Sequence, residues 1–333
     1  MSSSFIAKPR DIPLEVLKTE ALNRRLPAHH RKKKEVDQKA KNLRAGYNGE
    51  KALDFMLGFL QNKPLRVLHN LRIHDANGFF QIDTLILSLQ FLLINDAKNI
   101  SGTVIYDEFG QAIRTSKTGE EENLGNHIEQ VNLQYFRLLR WLRQHHFPAN
   151  PIEKLVIHSN PNTIIKNITN NKAVSNTVIH KEQLLTKLDE FTNTHKKPAF
   201  TKEQLEHLTV MLINAHTPKD VEILEKFGVE PEDILCGVFC PECHALPMHR
   251  IKAKWICHQC RATSKNAHIP ALKDYSLLFG SRISNRQARA LLRVGSQHIV
   301  KRLLQNEHFK CVGSTTNRYY LLCFSEESLE IRR

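Results

Sequence analysis

Two aspartates and one lysine stand within a strongly apolar stretch, residues 81–98. Apolar, β-branched and aromatic residues fill both halves of this stretch, which predicts two β-strands joined by a short turn. Such a hairpin places Asp83 opposite Asn95 or Asp96, and directly opposed residues have Cβ atoms about 4.5–5.5 Å apart. Because side chains alternate along a strand, Asp96 and Lys98 point to the same face. The pattern therefore brings two carboxylates and an ammonium group together.

Two carboxylates this close repel each other, and a divalent cation is the usual reason for keeping them, because hard cations prefer oxygen ligands. The alternative is an edge hairpin with three solvated charges. The neighbouring residues, 85–87 and 91–94, are all apolar, which favours strands buried on both faces. Unpaired charges there would cost several kcal/mol each, so we favour the cation site.

This arrangement resembles the PD-(D/E)xK nuclease core, with Asp83 as the first acidic residue and residues 96–98 as the D-x-K element. More narrowly, it resembles the nuclease-related domain family, NERD, over roughly residues 45–165. The matching motifs occur in the order GYNGE (46–50), FQID (80–83), DAKNISG (96–102) and a later helix with Gln130. Asp96 stands where the family usually has Glu, and Asn95 stands where an apolar residue is usual.

The resemblance implies an α/β fold, a PD-(D/E)xK restriction-endonuclease-like mixed sheet flanked by helices. It also implies a Mg²⁺-dependent (or Mn²⁺-dependent) nuclease. Asp83, Asp96 and the backbone carbonyl that follows would hold the metal, and Lys98 would orient the attacking water. Glu50 is expected as an auxiliary ligand and Gln130 as a residue near the active site.

The elements that carry these residues can be predicted from the sequence. A helix is predicted over residues 46–61, with Glu50 in its first turn, where the alternative is that any acidic residue suits the helix macrodipole. Its apolar stripe consists of Ala52, Leu53, Phe55, Met56, Phe59 and Leu60. A second helix over residues 126–147 carries Gln130, and its core candidates are Ile128, Val131, Phe136, Leu138, Leu139 and Leu142.

Strands are also predicted over residues 67–73, 102–106, 151–158 and 177–180, followed by a helix over residues 181–191. Strands alternating with helices predict a three-layer α/β domain. A capping box, TKEQ (201–204), then opens a further helix.

Two C-x-x-C pairs separated by 13 residues form the strongest motif of the chain. Each pair can supply two thiolates from a tight turn, so together they predict a zinc ribbon closed by Cys240, Cys243, Cys257 and Cys260. A dithiol redox motif is the alternative, but one pair would suffice for it. Nearby substitutes of lower rank are Cys236, His244, His249 and His258.

The C-terminal residues predict a helical, winged-helix-like module. Two short helices flank residues 293–296 and share an apolar seam of Ala288, Leu291, Leu292, Val294, Ile299 and Leu303. This pattern resembles a helix-turn-helix, although Arg293 stands where the turn often has glycine. The recognition helix, 296–304, would present Gln297, His298, Lys301 and Arg302 to DNA, and a hairpin over residues 309–323 would carry Arg318 at its tip. The alternative is a plain helical hairpin that packs on the zinc ribbon.

Composition and charge limit the number of domains, the kind of partner and the compartment. The chain has 333 residues, 41% of them hydrophobic, and a net charge of +14, which suggests two or three domains and a polyanionic partner. The predicted division is a basic helical extension (1–44), the nuclease-like domain (45–192), a helical linker (193–235), the zinc ribbon (236–268) and the helix-turn-helix-like module (269–333). No apolar run is long enough to span a bilayer, and the first residues lack a signal-peptide core. Seven cysteines suit metal binding in a reducing compartment, so we expect a cytoplasmic protein.

We therefore expect a metal-dependent nuclease whose C-terminal modules bind nucleic acid, DNA rather than RNA. One alternative is a non-catalytic nucleic-acid-binding or regulatory protein that keeps the nuclease fold without turnover. Another is an assembly factor whose ribbon and C-terminal module bind protein.

Overall fold

The computed structural model describes residues 5–116, 119–148, 150–314 and 317–324. In chain order its helices are α1 (Leu14–Arg25), α2 (Lys33–Lys51), α3 (Asp54–Gly58), α4 (His127–Gln144), α5 (Lys172–Thr177), α6 (Leu184–Thr194), α7 (Lys202–Ala215), α8 (Ile223–Phe227), α9 (His268–Phe279), α10 (Asn285–Leu292) and α11 (Gln297–Asn306). Its strands are β1 (Ile6–Lys8), β2 (Arg66–Asp75), β3 (Gly78–Leu87), β4 (Leu92–Lys98), β5 (Gly102–Tyr106), β6 (Ala112–Thr115), β7 (Glu121–Asn123), β8 (Ile152–His158), β9 (Thr163–Asn167), β10 (Val178–His180), β11 (His249–Ile251), β12 (Lys254–Ile256), β13 (Thr263–Ser264), β14 (Arg282–Ser284), β15 (Lys310–Val312) and β16 (Tyr319–Leu321).

Backbone contacts divide the chain into two compact units. The first comprises residues 1–12 and 44–219, and the second comprises residues 13–43 and 220–333. Within the second unit, α1 packs against α9, and the buried Arg25 Nε lies 2.9 Å from Asp274 Oδ2. The N-terminal helix thus shares a unit with the C-terminal residues, while the finer five-part division stays a prediction.

The first unit is built on a six-stranded mixed sheet with the order β1-β2-β3-β4-β8-β10. Strands β2, β3 and β4 are antiparallel, whereas β1 pairs with β2, β8 with β4, and β10 with β8 in parallel. The central hairpin turns at Ser88, whose Oγ accepts hydrogen bonds from the amides of Gln90 at 3.2 Å and Phe91 at 2.9 Å. The predicted hairpin is therefore present.

Both faces of this sheet are covered by helices, so its central strands are buried on each side. Leu85, Leu92 and Ile94 lie in a cluster that also contains apolar residues of α4 and α7. Ile86 and Leu93 point to the opposite face and lie in a second cluster with residues of α3 and α6. The alternation follows from the two-residue period of a strand, and the mixed α/β architecture expected from the sequence is confirmed.

One predicted helix has other bounds in the structure, and both predicted apolar stripes include residues that are exposed. The helix expected over residues 46–61 is in fact the end of α2, which begins at Lys33, followed by the short α3. Phe55 and Phe59 of the expected apolar stripe are exposed, as is Phe136 of α4. The rings of Phe55 and Phe59 contact each other edge to face, at a centroid distance of 5.3 Å. Apolar spacing alone gave no way to separate these outward-facing rings from core residues.

The second unit has one hydrophobic core shared by two small sheets and three helices. One sheet has the order β11-β12-β13 and the other β14-β16-β15. The core contains residues of the cysteine region, such as Trp255, and residues of α9, α10 and α11. Ile299, expected in the seam between α10 and α11, is instead exposed. Within the described part of the chain, none of the helices has the length and apolar character needed to cross a membrane.

Candidate active site and metal centre

The β3–β4 hairpin brings Asp83 and Asp96 together at the end of the two strands. The pairing of Thr84 with Asn95 sets the register, and its continuation by one residue puts Asp83 opposite Asp96. Asp83 Oδ2 accepts a hydrogen bond from the backbone amide of Ala97 at 3.1 Å. The first carboxylate is thereby fixed directly to the strand that carries the second.

The Asp96 side chain is held by two residues of helix α4. Its side chain is buried, and Oδ1 lies 3.1 Å from Gln130 Nε2 and 3.3 Å from Gln134 Nε2. The two glutamines stand four residues apart, on one face of the helix. Asn126 caps this helix by accepting a hydrogen bond from the Glu129 amide at 3.0 Å. Gln134 was not found from the sequence, because a glutamine on a helix usually lies on the surface.

Lys98 completes the group on the same face as Asp96. Its Nζ lies 2.8 Å from Asp96 Oδ2 and donates a hydrogen bond to Gln130 Oε1 at 2.8 Å. Gln130 therefore contacts both Asp96, through its amide NH₂, and Lys98, through its carbonyl oxygen. The structure thus brings together Asp83, Asp96, Lys98 and Gln130, while their catalytic roles stay predictions.

The sequence suggested that Glu50 lies in the first turn of a helix. In the structure it lies in the last turn of α2. A helix C-terminus carries partial negative charge, so the macrodipole disfavours an acidic residue there. The end of the helix packs closely against its neighbours at Gly49, where an added Cβ would lie 2.3 Å from Asn99 Cβ and 2.9 Å from Ser159 Oγ. Asn99 Nδ2 also donates to the Ala45 carbonyl at 2.7 Å. Glycine at position 49 therefore permits the close approach that positions Glu50.

The carboxylates of this region are electrostatically unfavourable in the folded chain. Burial raises the pKa of Glu50 to about 6, against the opposing effect of Arg10, whose Nη1 lies 3.1 Å from Glu50 Oε2. Burial, followed by the charges of Asp96 and Glu50, raises the pKa of Asp83 well above its ordinary value. A concentration of negative charge that the chain itself only partly neutralises is what a cation site requires.

Three uncharged side chains, those of Tyr106, His127 and His158, form a cluster beside Lys98 that was not predicted from the sequence. The Tyr106 hydroxyl lies 2.9 Å from His127 Nδ1 and 2.8 Å from His158 Nε2. Burial lowers the pKa of His127 to about 3 and that of His158 to about 4, and Lys98 contributes to both. His158 is the direct neighbour of Lys98 in the β4–β8 pairing. These two histidines therefore add no positive charge next to the lysine at neutral pH.

The donor set fits a hard divalent cation. Asp96 Oδ2 is buried and accepts no hydrogen bond within the described residues, although it pairs with the Lys98 charge. Asp83 and Asp96 offer carboxylate oxygens, and Ala97 offers a backbone carbonyl. Among the described residues, only the four cysteines form a cluster of three or more His, Cys, Asp or Glu ligand atoms. A pair of carboxylates suits Mg²⁺, which usually takes one or two from the protein and the rest from water and phosphate.

The four cysteines form a separate site in the second unit. The Sγ atoms of Cys240 and Cys260 are 3.6 Å apart, as are those of Cys243 and Cys257, and all four lie within 4.8 Å of one another. Tetrahedral zinc with Zn–S bonds of about 2.3 Å requires sulfur atoms about 3.8 Å apart. The cluster is thus compatible with structural zinc in a ribbon.

The two cysteine turns have the same local geometry. The His244 amide donates to the Cys240 carbonyl at 3.0 Å, and the Arg261 amide donates to the Cys257 carbonyl at 3.1 Å. Both of these donor residues have a positive φ, of 59° and 64°. The lower-ranked candidates Cys236, His244, His249 and His258 lie outside the cluster formed by the described residues.

The remaining predicted residues lie on the C-terminal module. Its elements follow in the order α9, β14, α10, α11, β15, β16. Gln297, His298, Lys301 and Arg302 of α11 are all exposed, as is Arg318 before β16. Arg293, between α10 and α11, adopts the left-handed conformation with φ 54°. This is the conformation that glycine favours, so arginine occupies the position where the turn often has glycine without a change of the turn's backbone conformation.

Comparison with known proteins gives a family for part of the chain. Residues 45–159 match the model of the nuclease-related domain family, NERD. This range contains Glu50, Asp83, Asp96, Lys98 and Gln130. Neither a curated protein nor a solved structure matches the chain.

Proposed function

We propose that this chain, whose residues 45–159 form a nuclease-related domain, is a metal-dependent nuclease that hydrolyses phosphodiester bonds of nucleic acids. The observation that carries the proposal is the buried Asp96, paired with Lys98 and facing Asp83 across one hairpin. The order D…D-x-K on such a hairpin is the order of the PD-(D/E)xK centre.

Asp83, Asp96 and the Ala97 carbonyl are the groups that would hold Mg²⁺ or Mn²⁺. When bound, the ion supplies Lewis-acid polarisation of the scissile phosphate and lowers the pKa of a coordinated water. Glu50, at the end of α2, helps to hold the ion or its water ligands.

The protein's own contribution to the chemical step centres on Lys98. Its ammonium group orients the attacking water and stabilises the negative charge that develops on the phosphate. Gln130 Oε1 and Asp96 Oδ2 each lie 2.8 Å from this group and hold it in place. Because the neighbouring histidines are neutral, they do not compete with Lys98 for the phosphate.

The second unit would recruit the substrate. A closed four-thiolate zinc site is structural, because it leaves no open coordination position. The helix-turn-helix reading is supported by the order of its elements and by the exposed Lys301, Arg302 and Arg318. These side chains would contact DNA phosphates first, and Gln297 and His298 would contact base edges. Thiolate ligands fit a reducing compartment, so we assign the protein to the cytoplasm.

The test is cleavage of labelled single- and double-stranded DNA and RNA with Mg²⁺, Mn²⁺ or EDTA. The wild type is compared with Asp96→Asn, with Lys98→Met and with the control Lys63→Met. Lys63 is a surface lysine of the same unit, with Nζ 2.9 Å from Asp189 Oδ1. We expect metal-dependent cleavage by the wild type and the control only.

Binding without cleavage in every metal would overturn the catalytic proposal and favour a nucleic-acid-binding or regulatory protein. Neither binding nor cleavage, together with salt-insensitive binding of a protein, would favour an assembly factor.

A further inference from the structure

Arg10, which follows strand β1, is almost completely buried in the first unit, with 3% of its side chain exposed. All three nitrogens of its guanidinium group are engaged. Their partners are Asp54 Oδ1 at 3.1 Å from Nε, Glu50 Oε2 at 3.1 Å and Asn70 Oδ1 at 3.2 Å from Nη1, and His69 Nδ1 at 2.8 Å and Thr84 Oγ1 at 2.9 Å from Nη2. These partners are between 40 and 74 residues away in sequence.

Two carboxylates, those of Glu50 and Asp54, pair with the charge of Arg10. Arginine has no acceptor, so His69 Nδ1 must accept the hydrogen bond. Burial, and then the charge of Arg10, lowers the pKa of His69 to about 3, which keeps its ring neutral. The ion pairs of Arg10 are therefore those with Glu50 and Asp54.

The contacts join three elements that must be in register for the candidate metal centre to form. Glu50 belongs to the end of α2, Asp54 to α3, and Thr84 to β3, where it directly follows Asp83. A planar guanidinium with five donors can fix these groups at defined angles, which a flexible lysine cannot do. Arg10 lies outside the segment that matches the family model, 45–159.

We propose that Arg10 is a positioning residue of the metal centre, which holds the Glu50 carboxylate in the orientation that serves Asp83 and Asp96. This inference rests on the proposed function, because it presupposes a cation at that centre. The N-terminal residues that carry Arg10 are thereby a working part of the nuclease-related domain.

Loss of this arginine releases Glu50 from its fixed orientation and leaves the neighbouring carboxylates without their buried counter-charge. Replacing residues that orient metal ligands typically costs about 10–100-fold in metal affinity or activity. We therefore expect Arg10→Met to weaken Mn²⁺ binding by about tenfold or more. Arg10→Lys should also weaken Mn²⁺ binding, because a single ammonium group cannot reproduce the hydrogen bonds of the planar guanidinium group.

A matched control separates positioning from stability. Arg137 of α4 is also partly buried and binds Asp75, with Nε 2.9 Å from Oδ2, and the Phe79 carbonyl, 2.9 Å from Nη1. These contacts are at the β2–β3 turn and involve none of the proposed metal ligands. Arg137→Met should lower the melting temperature while leaving Mn²⁺ affinity unchanged.

A double variant tests whether Arg10 acts through Glu50. If it does, Arg10→Met combined with Glu50→Gln should bind Mn²⁺ no more weakly than Glu50→Gln alone. Independent action would instead make the two losses multiply.

The experiment titrates the full-length chain with Mn²⁺ and follows free Mn²⁺ by electron paramagnetic resonance, below the unfolding temperature of each variant. The relevant site is the one that Asp96→Asn abolishes. Equal affinity in wild type, Arg10→Met and Arg10→Lys would overturn the inference and leave the proposed function intact. If the wild type has no such Mn²⁺ site, both the inference and the proposed function are wrong. If the Arg10 and Arg137 variants lose Mn²⁺ affinity equally, Arg10 has only a structural role and the inference is wrong.

Discussion

Replacing Gly49 by alanine tests whether the end of α2 is pressed against the loop that follows Lys98. An added Cβ would lie 2.3 Å from Asn99 Cβ and 2.9 Å from Ser159 Oγ. Folded proteins do not tolerate a carbon–carbon contact of 2.3 Å, so the helix end or the loop must move. Gly46, in the same helix, has no atom within 4 Å of the corresponding Cβ position.

The two glycines therefore predict opposite signs of the change in stability. Alanine is favoured over glycine within a helix by about 0.5–1 kcal/mol, so Gly46→Ala should stabilise the chain by about that amount. Gly49→Ala gains the same helix term but adds an overpacking cost of about 1–3 kcal/mol, and the severity of this contact places it at the upper end. The variants should thus differ by about 2–3 kcal/mol in the free energy of unfolding.

The measurement is urea unfolding followed by tryptophan fluorescence, with Trp141 as the probe in the first unit and Trp255 in the second. The transition that does not respond to zinc chelation is assigned to the first unit. The displacement in Gly49→Ala should also weaken Mn²⁺ binding, because Glu50 is the next residue. Equal unfolding midpoints for Gly46→Ala and Gly49→Ala would refute the close approach.

The structure makes four further predictions. Burial raises the pKa of Glu50 from 4.5 to about 6, so ionisation of this carboxyl destabilises the fold, and the free energy of unfolding falls as pH rises between these values. Glu50→Gln, measured in EDTA at pH 7, should therefore raise the free energy of unfolding by about 2 kcal/mol. A decrease would contradict this. Cys240→Ser should abolish a stoichiometry of one zinc per chain, measured by atomic emission, and unfold the second unit, whose core contains this cysteine. Arg293→Gly should raise the unfolding midpoint, by about 1 kcal/mol in free energy, since it relieves a left-handed arginine; an unchanged midpoint would argue against that conformation. Arg302→Ala should weaken DNA binding and reduce the magnitude of the slope of log K against log salt by about 1, unlike the control Lys41→Ala.

The central hairpin was predictable because its signals are local. Two apolar runs with a turn between them define the strands, and the two-residue period then fixes which side chains face each other. The cysteine site was predictable for the same reason, since each pair spans a single turn. In both cases the pattern that determines the geometry lies within about twenty residues of sequence.

The start of α2 was misplaced because its first half has only a narrow apolar stripe, Val36, Ala40 and Leu43, within a mainly basic and polar segment, residues 33–45. The broader apolar pattern begins after residue 50, and the helix start was therefore predicted near residue 46. Glu50 was consequently assigned to a first turn, when it lies in a last turn. The functional interpretation of Glu50 is strengthened by this correction, because the macrodipole no longer explains an acidic residue at that place.

The polar partners of the site were out of reach because they come from distant parts of the chain. Arg10 meets Thr84 across 74 residues, and Tyr106 meets His158 across 52. Neither pairing leaves a spacing that one sequence can reveal. Gln134 could have been found, since it lies one helical turn beyond Gln130 and must share its face.

The central claim is that Lys98 acts in the chemical step while Asp83 and Asp96 hold the metal. It is tested most directly by single-turnover cleavage by Lys98→Met, with Mn²⁺ affinity measured on the same preparation. We predict Mn²⁺ binding close to that of the wild type and a cleavage rate lower by about 10²–10³, the usual cost of losing one transition-state donor. Cleavage at the wild-type rate by this variant would contradict the account.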